Sequence, residues 1–144
     1  MTVRPAVILA RLAHLARTLA QLERLRAMSS AERVADPLHH LAAERAIQVA
    51  AEAIFDVGHH VLAGRSRPVP SAYRDIVPAL VAEGIFDGAL GGRLNGMAGM
   101  RNILVHDYVD IDPARIWQVI DHHLEDLRQA LSLLSALPEL TRRG

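Results

Sequence analysis

Arg101 and His106 stand five residues apart in the stretch Arg101-Asn102-Ile103-Leu104-Val105-His106-Asp107-Tyr108. These are the side chains of this sequence best equipped for chemistry. On a helix, five residues separate two positions by about 140°, so Arg101 and His106 flank a site instead of stacking. Asn102 and His106 share one face, and Arg101 and Tyr108 share the adjacent one. A permanent cation, an amide, an imidazole and a phenol therefore converge within two helical turns. That set suits an anionic substrate such as a phosphodiester, because guanidinium binds phosphate oxygens and imidazole can give or take a proton near neutrality.

Arginine and histidine at this spacing form a weak motif when taken alone. Arg33 precedes His39 and His40 by six and seven residues, and Arg115 precedes His122 by seven. The Arg101 copy differs in having Asn102 directly after the arginine, Tyr108 two after the histidine, and a place at a helix end. Asp112-Pro113 follows at once, an N-cap and first-turn proline that start the next helix. The same residues also fit a surface arginine and a helix-terminal histidine held by the macrodipole.

The stretch Arg101-Asn102-x3-His106-Asp107-Tyr108 resembles the Arg-x4-His-x-Tyr signature of the HEPN superfamily, and within it the HepT-like toxins of two-gene toxin–antitoxin systems. The likeness extends to a leucine-rich first helix, a helix carrying Glu44, Arg45, Gln48, Glu52 and Asp56, and the loop from Pro68 to Tyr73. It implies a HEPN-like helical fold and a metal-independent endoribonuclease, without cofactor, that works as a homodimer on RNA, either tRNA or mRNA. It also implies a cognate antitoxin resembling a minimal nucleotidyltransferase, MntA, able to adenylylate the motif tyrosine, here Tyr108. A non-catalytic module that binds a nucleotide or a partner through the same face is the alternative.

The chemistry of such cleavage sets its own requirement. In-line attack by a 2′-hydroxyl needs a base beside that hydroxyl and an acid at the departing 5′-oxygen, on the opposite side of phosphorus. One imidazole cannot occupy both places, and the chain has a single good motif. Two copies facing one another across a two-fold axis would supply both roles. In this reading His106 moves protons, Arg101 stabilises the extra negative charge on phosphorus, and Asn102 holds the phosphate or the imidazole.

The rest of the chain must position these groups. Its 144 residues are one domain's worth, and a 51% apolar share with only 3% aromatic residues suits interlocking aliphatic helices. The absence of cysteine removes disulfides and thiolate metal sites and fits a reducing cytoplasm. No apolar run approaches the roughly 18 residues of a membrane span, and arginines at Arg4, Arg11 and Arg17 interrupt the secretory-signal pattern. Net charge is zero, so affinity for nucleic acid must come from a local patch, and all 16 basic side chains are arginine.

Ile8, Leu12, Leu15, Leu19 and Leu22 predict an amphipathic helix over residues 5 to 27. Ser29 to Glu32 has capping-box spacing for a short element. Asp36-Pro37 opens a longer helix to Gly64, apolar over most of its circumference and so central. Ser71 is read as the cap of a third helix ending near Gly84, a fourth spans about residues 87 to 108, and a last begins at Asp112 and carries Ile116, Ile120, Leu124, Leu127, Leu131 and Leu134. The tail after Pro138 is expected to fray. The fold expected is all-α, an antiparallel up-and-down bundle of four main helices plus a shorter one, a single domain over 1–144.

Three further features bear on a site. Gly91, Gly92, Gly96 and Gly99 burden the motif helix and call for tight packing against the central helix or a second subunit. Glu44, Gln48, Glu52, Asp56 and His60 make an i,i+4 row that is either a solvated stripe with local pairs such as Asp56 with His60, or a support in which Glu52 or Asp56 reaches Arg101 or His106. The pairs His39-His40, His59-His60 and His122-His123 do not chelate one ion, since neighbours on a helix diverge by about 100°. No metal site is expected.

Overall fold

The structure, a computed structural model, describes residues 4–106 and 112–141. It contains α1 (Pro5–Arg26), α2 (Ser30–Ala35), α3 (Pro37–Gly64), α4 (Tyr73–Ala82), α5 (Gly88–His106), α6 (Pro113–His122), α7 (Leu124–Ser135) and α8 (Pro138–Thr141), and no strand among the described residues. Local chemistry sets most of the starts. Pro5, Pro37 and Pro113 sit in the first turns of α1, α3 and α6, where a missing N–H costs nothing. The Asp36 and Asp112 carboxylates each accept from a backbone N–H two residues on, at 3.0 Å. Ser29 and Glu32 form the reciprocal capping box that their spacing predicts.

The predicted leucine stripe of α1 is buried, and it lies against α3. Alanines 43, 50, 51 and 53 line the buried side of α3, and small side chains let neighbouring helices approach. As the sequence indicates, α3 is central: it packs on α1, α2, α4, α5, α6 and α7. The bundle is all-α, with α1, α3, α5 and the α6–α7 pair as its main members.

Glycine fixes the one close approach that matters most for the site. A Cβ on Gly58 of α3 would stand 2.7 Å from Ile76 and 2.9 Å from Leu80, and one on Gly91 of α5 would stand 2.4 Å from Val81. Thus α4 is seated tightly on both α3 and α5. The packing demanded by the glycines of α5 is met at Gly91 by α4, and not by α3. Gly92, Gly96 and Gly99 meet nothing within 4 Å and leave that side of α5 open.

Three expectations are corrected. The helix starting at Asp112 is broken at His123, whose backbone (φ −123°, ψ 5°) leaves helical values before α7 begins with Glu125 and Asp126 in its first turn, where acidic groups suit the dipole. Ser71 does not cap α4; Ala72 stands at the N-cap without a side-chain bond, and the helix begins at Tyr73, which packs on the core. The tail after Pro138 is not frayed up to Thr141: α8 is anchored by buried Leu137 and by Arg65, whose Nε and Nη2 donate to Glu139 at 2.7 and 3.0 Å.

Candidate active site

Arg101 lies on the inner side of α5, where α3 and the start of α4 meet it. Beneath it is a stack rooted in the core. Phe55 of α3 is buried, its ring centroid is 5.1 Å from that of Tyr73, and the Arg101 guanidinium carbon lies 4.1 Å over the Tyr73 ring. A guanidinium on an aromatic face keeps its in-plane N–H groups free while its position is held.

Two further contacts orient it. Arg101 Nε donates to Glu52 Oε1 and one Nη1 proton to Asn102 Oδ1, at 3.4 and 3.3 Å. Both are long for an N–H···O bond, so they steer the group more than they satisfy it. Glu52 is itself held by Gln48 Nε2, which donates to the same Oε1 at 3.1 Å. Of the five guanidinium N–H groups, three remain without a partner among the described residues. A cation so held and so incompletely satisfied can take a phosphate oxygen.

The other well-placed arginines are already committed. Arg33 donates from both terminal nitrogens to Asp121 at 3.0 and 2.6 Å, donates also to the Arg26 carbonyl, and lies 4.5 Å over Trp117. Asp121 holds its guanidinium pKa above the ordinary value. Arg65 is likewise raised, by Glu139 first and then Glu83. The Arg33 copy of the arginine–histidine spacing is therefore an inter-helix strut, with His39 Nδ1 turned to the Glu32 carbonyl at 2.7 Å.

The acidic row of α3 divides. Glu52 faces Arg101. Asp56 does not join it, nor does it pair with His60: it lies 3.8 Å from Arg11 of α1 in an exposed ion pair, because its position is turned toward the α1 side. Glu44 pairs with His40 at 2.7 Å. Asn102 is exposed beside Arg101, and the backbone of His106 closes α5. Tyr108 lies outside the described residues. Among the described residues no three His, Asp or Glu side chains are grouped to hold a metal ion.

Sequence reasoning missed Tyr73. It stands 28 positions before Arg101, since 101 − 73 = 28, and no local spacing links them. The one available signal was its type, a ring at a loop-to-helix junction in a chain with few aromatic residues.

Residues 15–134 match the family described as Ribonuclease HepT-like. The chain is 31% identical over 90 residues to the mRNA nuclease HepT of Shewanella oneidensis, covering 62% of this chain and 68% of that protein. It is 27% identical over 141 residues to the tRNA nuclease HepT of Aphanizomenon flos-aquae, covering 95% and 96%. The fold is similar to that of the tri-AMPylated Shewanella oneidensis HEPN toxin solved in complex with MNT antitoxin, with a TM-score of 0.82 and 25% identity over 91% of this chain and 98% of that one.

Proposed function

Because this chain belongs to the HepT-like ribonuclease family, we propose that it is a toxin-type endoribonuclease whose cleavage site is built on Arg101, Asn102 and His106. The observation that carries the assignment of Arg101 is its guanidinium, seated on Tyr73, steered by Glu52 and left with free donors. In the reaction, a 2′-oxygen attacks phosphorus as its proton passes to one imidazole. The P–O5′ bond breaks as a second imidazole gives a proton to the departing oxygen. Arg101 offsets the charge that builds on the phosphoryl oxygens between these events. The products are a 2′,3′-cyclic phosphate and a 5′-hydroxyl.

The second imidazole comes from a second copy. The positions Gly88, Gly92, Asn95, Gly99, Asn102 and His106 recur at four and three along α5, so they share one stripe. Its glycines have open space where a Cβ would be. A small-residue stripe lets a partner helix approach closely, and its own two-fold image would bring the two His106 positions together. We assign the neutralising partner to a nucleotidyltransferase of the kind that the Shewanella toxin is solved with, acting by adenylylation of Tyr108. We place the protein in the cytoplasm, a compartment compatible with a chain lacking cysteine and, among the described residues, any helix long and apolar enough to cross a membrane.

The test is cleavage of RNA by purified protein in EDTA, with cyclic-phosphate ends identified on the products. His106→Ala should abolish cleavage while the helical circular dichroism stays intact; cutting at the parental rate by that variant overturns the assignment. For the partner, mass spectrometry after co-expression should find AMP units on Tyr108 together with loss of cleavage. An unmodified Tyr108 in a fully inhibited complex would mean inhibition by occlusion instead.

A further inference from the structure

A second polar site, which shares no residue with the Arg101 group and which the cleavage chemistry does not use, lies between α5 and α6. A cavity of about 230 Å³ opens between α5 and α6, with Arg93, Arg115, Gln118 and His123 around a floor of Met97 and Met100. Among the described residues its lining carries no carboxylate. Behind it, buried Asp126 of α7 accepts from Arg93 Nε at 2.8 Å and faces His123 Nδ1 at 3.4 Å. One sequestered carboxylate thus holds a guanidinium and an imidazole from two different elements at the cavity. Arg115 is exposed and has no ion-pair partner among the described residues. Among the described residues two guanidiniums, Arg93 and Arg115, stand against the one carboxylate of Asp126, and Arg115 is on the solvent side.

We infer that this cavity, with Arg115 and Arg93 at its mouth, binds a backbone phosphate of the RNA at a nucleotide flanking the one cleaved. The inference rests on the ribonuclease reading above and extends it to how substrate is gripped. Three observations favour RNA. The donor set is two guanidiniums, an imidazole and a carboxamide, which together can satisfy an oxyanion. Gly96, one of the open glycines of α5, lines the same cavity, so it borders the stripe on which the two-fold partner and the composite site are placed. The whole chain is electrically neutral, so a nucleic acid must be held by local clusters such as this one. Arg115, whose spacing to His122 is a misleading echo of the motif, therefore belongs to substrate binding and not to the cleaving group.

The experiment uses full-length protein and a single-stranded RNA carrying 2′-O-methyl groups, which binds without being cut. Dissociation constants are measured by fluorescence anisotropy across a salt series for the parent, Arg115→Ala, Arg115→Glu and His123→Gln; these spare the Arg93–Asp126 pair and hence the fold. Arg115→Ala should weaken binding about fivefold and reduce the salt slope by about 0.7, as loss of one phosphate contact to a single strand requires. Arg115→Glu should weaken it further, and His123→Gln less. With cleavable RNA, KM should rise while kcat at saturation holds. Unchanged affinity and salt slope in Arg115→Glu overturn the inference, as does a fall in kcat at constant KM. If the Arg115 variants bind RNA normally but lose the co-expressed nucleotidyltransferase, the cavity is a protein contact and the inference is wrong. A parent protein that cleaves RNA while these variants bind it normally sinks the cavity alone; a parent inert toward RNA sinks the proposed function with it.

Discussion

Arg101 and Arg33 are the same residue type put to opposite uses, and the difference lies in what each has left over. Both lie on an aromatic ring, Tyr73 and Trp117 respectively. Arg33 then spends its terminal nitrogens on a carboxylate and a carbonyl at short distances, whereas Arg101 meets its carboxylate at 3.4 Å through Nε only. In the proposed site Glu52 is thus a positioning residue. Glu52→Ala should lower kcat about tenfold, with a smaller change in KM, a loss in keeping with a misplaced group distant from the bond broken. Glu52→Gln keeps an oxygen that accepts from Nε and should recover most of the rate; equal loss in both variants would mean that the charge matters, not the contact. The grouping of Arg101, Asn102 and His106 on α5 was legible because they are neighbours in the chain and a helix turns spacing into geometry. Tyr73 was not, because tertiary packing of α4 alone brings its ring under the guanidinium.

At the scale of elements, two adjacent glycines of α5 should behave oppositely when replaced. Gly91→Ala puts a methyl 2.4 Å from Val81, and α4 must move away from α5. Overpacking of this kind costs about 1–3 kcal/mol, measurable by urea unfolding. Gly92 has open space, so Gly92→Ala should leave the subunit intact and gain about 0.5–1 kcal/mol of helix stability. If the open stripe is the two-fold contact, the same variant should shift sedimentation toward monomer and lose cleavage. Sedimentation and cleavage both at parental levels would remove that stripe from the interface. The starts of α2, α3 and α6 were readable because capping is local chemistry. The break at His123 was not, since the apolar spacing of Ile116, Ile120, Leu124 and Leu127 passes through it without a gap. Ile116 and Ile120 before the bend and Leu124 and Leu127 after it are all buried, which satisfies the pattern without continuity of the helix.

For the molecule as a whole, the Arg33–Asp121 bridge fastens the short α2 to α6 across 88 positions of chain. Hydrogen bonding to Arg33, first, holds the Asp121 carboxyl below its ordinary value. A carboxyl depressed in the folded state contributes stability that is present above its unfolded value and is lost as the pH falls through the folded one. Thermal midpoints should therefore hold from neutrality down to about pH 4 and fall below it. Asp121→Asn should start lower at neutrality and show a shallower acid limb; parallel curves for parent and variant would show that the bridge contributes nothing to the acid response. The all-helical architecture was written in periodicity, but this fastening was not, because arginine is the chain's only basic residue besides histidine and nothing local distinguishes a strut from a ligand.

The same bridge has an optical consequence. Trp117 is the chain's single tryptophan, and the charge of Arg33 is set directly over its indole face. Light absorbed at the red edge, where tyrosine is transparent, is therefore emitted from one corner of the bundle only, under an electric field fixed by one guanidinium. Emission from this corner is blind to the Arg101–Tyr73 face. A change in the indole spectrum signals that α2 has lifted from α6, whereas an inactivating substitution at the proposed cleavage face should leave the spectrum untouched. The protein thus carries its own gauge for separating a loosened scaffold from a disabled site.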